Sequence, residues 1–366
     1  MFDLMARGEC WPHCDNSPVA LWTQREYCVH PYLLVSKAFA RAVTYALETY
    51  VVTSGPESLA QYARGLSQGS RAVRARYFSA VWGAFPPDVG AAEADMLAVV
   101  LPQLVNLQLL DTGTWPAASP GQLVEAVVGL PALRAVKWSG WGGEGPGADF
   151  SALLEAIAPS AASLRSLICG DIALGAQPHF APRELSFDNL VELLISTWID
   201  DDDTDRVMDA LVGIARSAKQ LRYLQLNNSG WAPGSLERII EPVIASLRAL
   251  QVGAYFQSDL DAGWVAVRTV VARCQKLRVL GLPRITWLDS DNPVLASLSA
   301  LSFVGFEVFD GSETLRLATI IARGRLSYLS IDVDAEVSEP YTLLQVRASA
   351  GPPSLTRAGL VRDGPY

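Results

Sequence analysis

The stretch Leu221-Arg222-Tyr223-Leu224-Gln225-Leu226-Asn227-Asn228 sets apolar residues in the order L-x-x-L-x-L. The same phrase returns at Leu104, Leu107, Leu109; at Leu133, Val136, Trp138; and at Leu164, Leu167, Cys169. It continues at Leu190, Leu193, Ile195; at Leu247, Leu250, Val252; and at Leu277, Leu280, Leu282. The last copies are Leu298, Leu301, Phe303 and Leu326, Leu329, Ile331. Leu104 to Leu326 is 222 residues in eight steps, a period of about 28. Alternate side chains of a strand face opposite sides, so the last two apolar positions of each phrase point the same way, and the first leads into the strand. One such unit cannot bury three large apolar groups alone. Stacked units bury them against each other, at roughly 1.5–3 kcal/mol per side chain.

A period of this length with this phrase resembles the leucine-rich repeat. It predicts an α/β leucine-rich-repeat solenoid of about ten repeats, with parallel strands on the concave face and helices on the convex face. Solenoids lengthen without needing a second core, which suits a chain of 366 residues. Helical spacing is readable at 91–104, 122–130, 150–157, 203–218, 236–245, 261–274 and 313–323. The step from Leu277 to Leu298 is 21 residues, short enough to require a loop or a single helical turn. Repeat-like frames also stand at Leu47, Tyr50, Val52 and around Tyr77, Phe78 and Val81. Ser54-Gly55-Pro56-Glu57 opens a helix with a capping pattern. The solenoid is expected over 47–335, with Tyr341–Val346 as a last edge strand and Gly351–Tyr366 as a mobile tail within 336–366.

Residues 1–30 form no readable element. They hold Cys10, His13, Cys14, Cys28 and His30, but the spacings lack the paired C-x-x-C of a zinc site, and no metal is expected there. The net charge is −9 with no block of Lys or Arg, which argues against a nucleic-acid partner. Half the residues are apolar, yet no uninterrupted run nears the ~20 needed to span a bilayer. The start, Met1–Arg7, lacks a basic segment followed by a long apolar one, so no secretory leader is expected. Five cysteines is an odd number, and Cys169 and Cys274 fall in or beside repeat phrases as small buried apolar residues. A reduced, intracellular protein, cytoplasmic or nuclear, fits these features.

Motifs of chemistry are scarce. Gly142–Gly147 contains G-x-G-x-G, but Pro146 breaks the helix start that a phosphate loop requires, and a connecting loop is the better reading. Asp200–Asp205 has the charge of a calcium loop without its alternating ligands, central glycine or closing glutamate; acidic residues there suit the start of the following helix. The three histidines, His13, His30 and His179, stand in no nucleophile or metal motif, and neither G-x-S-x-G nor H-E-x-x-H occurs. Neither an enzyme nor a cofactor is expected.

The candidate site is a surface. Outward strand positions Lys137, Glu192, Tyr223, Gln225, Gln251 and Tyr328 should line the concave face. Aromatics just past the strands, Trp115, Trp141, Trp198, Trp231, Tyr255, Trp287 and Phe306, should cluster along one rim, where they either anchor a partner peptide or cover the strand ends. The partner-binding set is therefore Lys137, Glu192, Trp198, Tyr223, Gln225, Trp231, Gln251, Tyr255, Trp287 and Tyr328, facing a target protein.

One further stretch carries a resemblance. Leu34-Val35-Ser36-Lys37-Ala38-Phe39, followed by Leu47-Glu48-Thr49-Tyr50-Val51-Val52, is similar to the second half of an F-box leading into leucine-rich repeats, as in fungal F-box-like proteins. The leading L-P-x-E helix of that motif is not readable in residues 1–30, so the box at 31–46 is half-present. The resemblance implies a substrate-recognition subunit of a cullin-type ubiquitin ligase, with Leu34, Val35 and Phe39 toward a Skp-type adaptor. The alternative is a capping helix on a repeat scaffold that binds a protein without any ubiquitin role.

Overall fold

The computed structural model describes residues 48–53, 56–66, 74–80, 95–114, 125–139, 150–172, 185–198, 204–229, 235–254, 268–282, 288, 291–303, 319–320, 326, 328–332 and 357–361. Its strands are β1 (Tyr50–Thr53), β2 (Tyr77–Ala80), β3 (Leu109–Thr114), β4 (Ala135–Ser139), β5 (Ser166–Ile172) and β6 (Glu192–Trp198). They continue with β7 (Tyr223–Ser229), β8 (Ala249–Ala254), β9 (Val279–Leu282), β10 (Ala300–Phe303), β11 (Tyr328–Asp332) and β12 (Arg357–Val361). All twelve lie in one sheet whose spatial order is the chain order, and every pairing is parallel. A parallel neighbour that is also the next strand in sequence requires a crossover each time, which is the solenoid the repeat phrase predicts.

Crossovers are helical where the chain is long enough. Helices α1 (Pro56–Leu66), α2 (Phe150–Ile157), α3 (Thr204–Ser217) and α4 (Ser235–Ile240) cover one side of the sheet. Residues 95–100, 125–128 and 268–273 are helical as well. The expected helix at 236–245 stops at Ile240 and tightens into a 3₁₀ turn, Glu241–Val243, because Pro242 has no N–H to continue the α pattern. The short step to Leu298 is made by one 3₁₀ turn, Pro293–Ala296, whose start is capped by Asn292 Oδ1 accepting from the Val294 N–H at 3.0 Å.

The core runs the length of the molecule. Leu193, Leu224 and Leu250 are register partners on β6, β7 and β8, and all are fully buried. They share one apolar cluster with Met208, Leu211 and Ile214 of α3 and with Ile239 and Ile240 of α4. Cys169 and Cys274 are buried free thiols in this core. Burial pushes the Cys274 thiol up to about 11 and raises Cys169 further. Hydroxyls stitch adjacent turns: Ser163 Oγ donates to the Leu133 carbonyl and Ser297 Oγ to the Leu277 carbonyl, each at 2.9 Å. Arg273 forks onto Glu241 at 2.6 and 2.7 Å, and Arg238 reaches Asp209 at 2.7 Å, tying successive helical segments at their surface.

Two expected frames are shifted. On β3 the buried set is Leu107, Leu110 and Thr112, with Leu110 in register with Val136, so the frame begins three residues after Leu104 and Leu109 faces outward. The run Leu104–Leu110 offers overlapping L-x-x-L-x-L readings, and Thr112 hides the correct one. On β1 the buried positions are Val51 and Thr53 rather than Tyr50 and Val52, a one-residue slip that exchanges the faces of the strand. With the corrected start, Leu107, Leu133, Leu164, Leu190, Leu221, Leu247 and Leu277 are spaced 26, 31, 26, 31, 26 and 30 residues. The unit is thus a pair of repeats, a short one and a long one. At the far end, Tyr341–Val346 lies outside the described residues, and the strand that pairs with β11 is β12, inside the segment expected to be a mobile tail. Residues 1–46, and with them Leu34, Val35 and Phe39, also lie outside the described residues.

Candidate functional site

Parallel register stacks the outward side chains of the strands in rows. One row runs Tyr50, Tyr77, Leu109, Ala135, Ser166, Glu192, Tyr223, Ala249, Val279, Ala300 and Tyr328. The next runs Val52, Ser79, Asp111, Lys137, Ile168, Leu194, Gln225, Gln251 and Gly281. Glu192 and Tyr223 are register partners, as are Gln225 and Gln251, so four of the expected contact residues meet across β6, β7 and β8. By backbone register Tyr328 on β11 pairs with Ala300 on β10, and Trp198 is the last residue of β6, in register with Ser229. Trp231, Tyr255 and Trp287 lie outside the described residues, as do Trp115, Trp141 and Phe306.

The expected residues differ in how free they are. Glu192 accepts a 2.6 Å hydrogen bond from Ser166 Oγ, its register partner. Burial raises its carboxyl above the usual range, and the serine bond lowers it in part. Gln251 Oε1 and Asn227 Oδ1 are shielded from solvent and have no hydrogen-bond partner among the described residues. The Asn227 carboxamide lies over Gly253, where an added Cβ would stand 2.6 Å from Oδ1; the missing side chain of Gly253 is what lets the carboxamide fold down onto β8.

Lys137 is committed to a structural contact. Its ammonium lies 3.5 Å from Asp111 Oδ2, which is 3.4 Å from Ser79 Oγ on the other side. Asp111 is fully buried and its Oδ1 has no partner among the described residues. Desolvation raises its pKa, with Lys137 and Ser79 opposing. A raised folded-state pKa means that the native chain holds the proton more tightly than the unfolded chain. This contribution is full below about pH 4 and is lost as pH rises through the raised value. Asp111→Asn is therefore expected to match the parent near pH 4 and to exceed it in stability at pH 8. Urea midpoints across that range test it, and a parent more stable at pH 8 would show that the Lys137 contact outweighs the burial.

Several outward residues escaped the sequence reading. Tyr50 and Tyr77 stack with ring centroids 4.3 Å apart and planes 5° from parallel. Tyr77 is raised mainly by burial and then by Tyr50. Ile168 and Leu194 are half-buried apolar side chains between Lys137 and Gln225. The one-residue slip on β1 hid Tyr50, and Ile168 and Leu194, which fall between the frame positions of β5 and β6, were not among the expected contacts because they are apolar. The face is thus a mixture of tyrosine, amide, carboxylate and aliphatic side chains, the composition of a protein-contact surface. A cleft of about 630 Å³ lies on the helical side instead, near the end of α3, lined by Asp188, Asp209, Arg216 and Arg238 among others. All three histidines fall outside the described residues. Among the described residues, no cluster of His, Cys, Asp and Glu could hold a metal ion, and no helix is long and apolar enough to cross a membrane.

A chain of the yeast complex of Rad7 and Elc1 superposes with a TM-score of 0.50 at 15% identity, covering 85% of this chain and 75% of that one. The fold is a leucine-rich-repeat solenoid. Two further similar structures are LegL7 from Legionella pneumophila, a leucine-rich-repeat protein, and TLR13 in complex with ssRNA13. The first has a TM-score of 0.36 and 12% identity, covering 83% of this chain and 79% of that one. The second has a TM-score of 0.34 and 14% identity, covering 71% and 39%. No protein-family model and no curated protein sequence matches the chain.

Proposed function

We propose that this solenoid is a non-catalytic recognition module that presents the outward face of β6–β8 to a target protein. The observation that carries the reading is the register that sets Glu192, Tyr223, Gln225 and Gln251 side by side on a rigid sheet. Tyrosine offers large contact area at low entropic cost, and the amides and carboxylate offer directional hydrogen bonds. Within this reading, the F-box-like segment at Leu34–Phe39 supports a role as the substrate-recognition subunit of a cullin-type ubiquitin ligase. The N-terminal segment docks a Skp-type adaptor, the concave face holds the target, and the covalent chemistry takes place on other subunits.

A pull-down with purified Skp-type adaptor tests the assignment. The intact chain is expected to retain the adaptor, and a Leu34→Asp, Phe39→Asp double variant to lose it by tenfold or more, since a charge at an apolar anchor must be desolvated to bind. Tyr223→Ala, on the other surface, should leave adaptor binding unchanged. No retention by the intact chain would remove the ligase assignment and leave a repeat scaffold with a protein partner as the function.

A further inference from the structure

The chain contains no run of basic residues, yet the fold builds one. The residue just after the leading apolar position of each repeat is Arg76, Arg134, Arg165, Arg222, Arg248 or Arg278 in six repeats. Backbone bonds extend the sheet through these positions: the Arg165 N–H donates to the Arg134 carbonyl at 2.6 Å, Arg248 to Arg222 at 2.8 Å, and Arg278 to Arg248 at 2.7 Å. Neighbouring strands are about 4.8 Å apart, so Arg222, Arg248 and Arg278 fall within roughly 10 Å along the edge where the strands begin. Lys219 and Lys276 stand three and two residues upstream in two of the same repeats, and these side chains are exposed.

Like charges on adjacent strands repel, and among the described residues Arg134, Arg165, Arg222 and Arg248 form no ion pair. Of the carboxylates in these repeats, Asp188 accepts from Ser186 Oγ at 2.6 Å and Glu192, one residue along on the outward face, accepts from Ser166 Oγ, and among the described residues neither forms an ion pair with an arginine of the row. Arg278 Nη1 donates to the Ser297 carbonyl at 2.8 Å and Arg76 Nη1 to the Asn106 carbonyl at 3.4 Å, contacts that hold the arms without neutralising them. A protein with net charge −9 thus keeps a cationic strip along one edge.

We propose that this edge docks an acidic helical segment of a protein partner. Carboxylates at i, i+3 and i+4 of a helix recur every 5–6 Å, close to the strand spacing, and guanidinium groups take carboxylates in bidentate pairs. A nucleic acid suits the edge less well. The tyrosines beside the row are Tyr77, next to Arg76 and already stacked on Tyr50, and Tyr223, next to Arg222; the overall negative charge opposes a long polyanion, whereas a short peptide meets only the local field within a Debye length of about 10 Å. The edge borders the outward face of β6–β8, with Arg222 directly before Tyr223, and charge-removing and tyrosine-removing variants test the two surfaces separately.

The test is fluorescence anisotropy with a labelled alanine-based helical peptide carrying glutamate at every fourth position. The controls are its glutamine counterpart and an oligothymidylate of equal charge. At low salt the intact chain should bind the glutamate peptide, bind the glutamine peptide at least tenfold more weakly, and lose affinity as salt is raised. Arg222→Gln, Arg248→Gln, Arg278→Gln together should weaken binding about tenfold or more at unchanged melting temperature, while Tyr223→Ala leaves it intact. The proposal is overturned if the intact chain ignores the glutamate peptide, if the triple variant binds it equally well, or if the oligothymidylate binds more tightly.

Discussion

Leu224→Ala should lower the stability of the central repeats by about 2–5 kcal/mol, the range for removing a fully buried leucine and leaving a cavity. Leu224 is fully buried on β7 between register partners Leu193 and Leu250, and it shares a cluster with Met208 and Leu211 of α3. A solenoid passes stability only between neighbours, so the loss has a location. Hydrogen exchange should accelerate most on β6, β7 and β8, less on β3 and β10, and the urea midpoint should fall in step. Tyr223 and Gln225 flank Leu224 on the opposite face of the strand, so the outward rows keep their side chains. A midpoint shift under about 1 kcal/mol, or exchange that quickens evenly from β1 to β12, would contradict a nearest-neighbour core.

Phe78→Ala tests the same physics near an end. Phe78 is fully buried on β2, with its ring 6.1 Å from that of Tyr62 on α1 and tilted 47° to it. Truncating a buried phenylalanine costs about 3–5 kcal/mol. Among the described strands β2 has only β1 on one side to share the loss, whereas β7 has six on one side and five on the other. The expected result is early melting of β1 and β2, visible as a separate first transition in denaturant and as lost tyrosine signal when the Tyr50–Tyr77 stack opens. Phe78→Leu, which keeps most of the volume, should lose under about 1.5 kcal/mol and melt in one step. Concerted melting of Phe78→Ala would mean that the solenoid is coupled well beyond adjacent repeats.

The comparison of these sites shows what the chain's text could convey. Leu224 was legible because its phrase is complete: three leucines at the right spacing, with Tyr223 and Gln225 between them, admit one alternation. Leu109 was misplaced because a leucine-rich run supports two frames, and the residue that settles it, Thr112, is polar. It is buried nonetheless, since pairing with β2 and β4 sets the register for the whole strand. Val52 and Tyr50 failed for a related reason. A four-residue strand of Tyr, Val, Val and Thr carries no clear apolar–polar alternation, and only the ladder to Tyr77 and Ser79 assigns its faces.

The candidate contact residues divide in the same way. Glu192, Tyr223, Gln225 and Gln251 could be named from parity alone, because each sits between two core positions of a clear phrase. Lys137 could be named too, but its tie to Asp111 and Ser79 could not, since Ser79, Asp111 and Lys137 are 32 and 26 residues apart along the chain. The arginine edge is the extreme case. Its members are separated by 26 to 58 residues, so no local charge run betrays them, and the acidic total points the other way.

By itself, the sequence determined the architecture: a period of apolar phrases can be buried only by stacking, and stacking dictates parallel strands in chain order with crossovers on one side. It also determined which face most strands turn outward, because the side-chain period of a strand is two. Only the tertiary structure decided the register at the ambiguous strands, the burial of Asp111, and the gathering of distant arginines along one edge. Those outcomes depend on which residues lie 4.8 Å away on the next strand, a distance that separation along the chain does not encode.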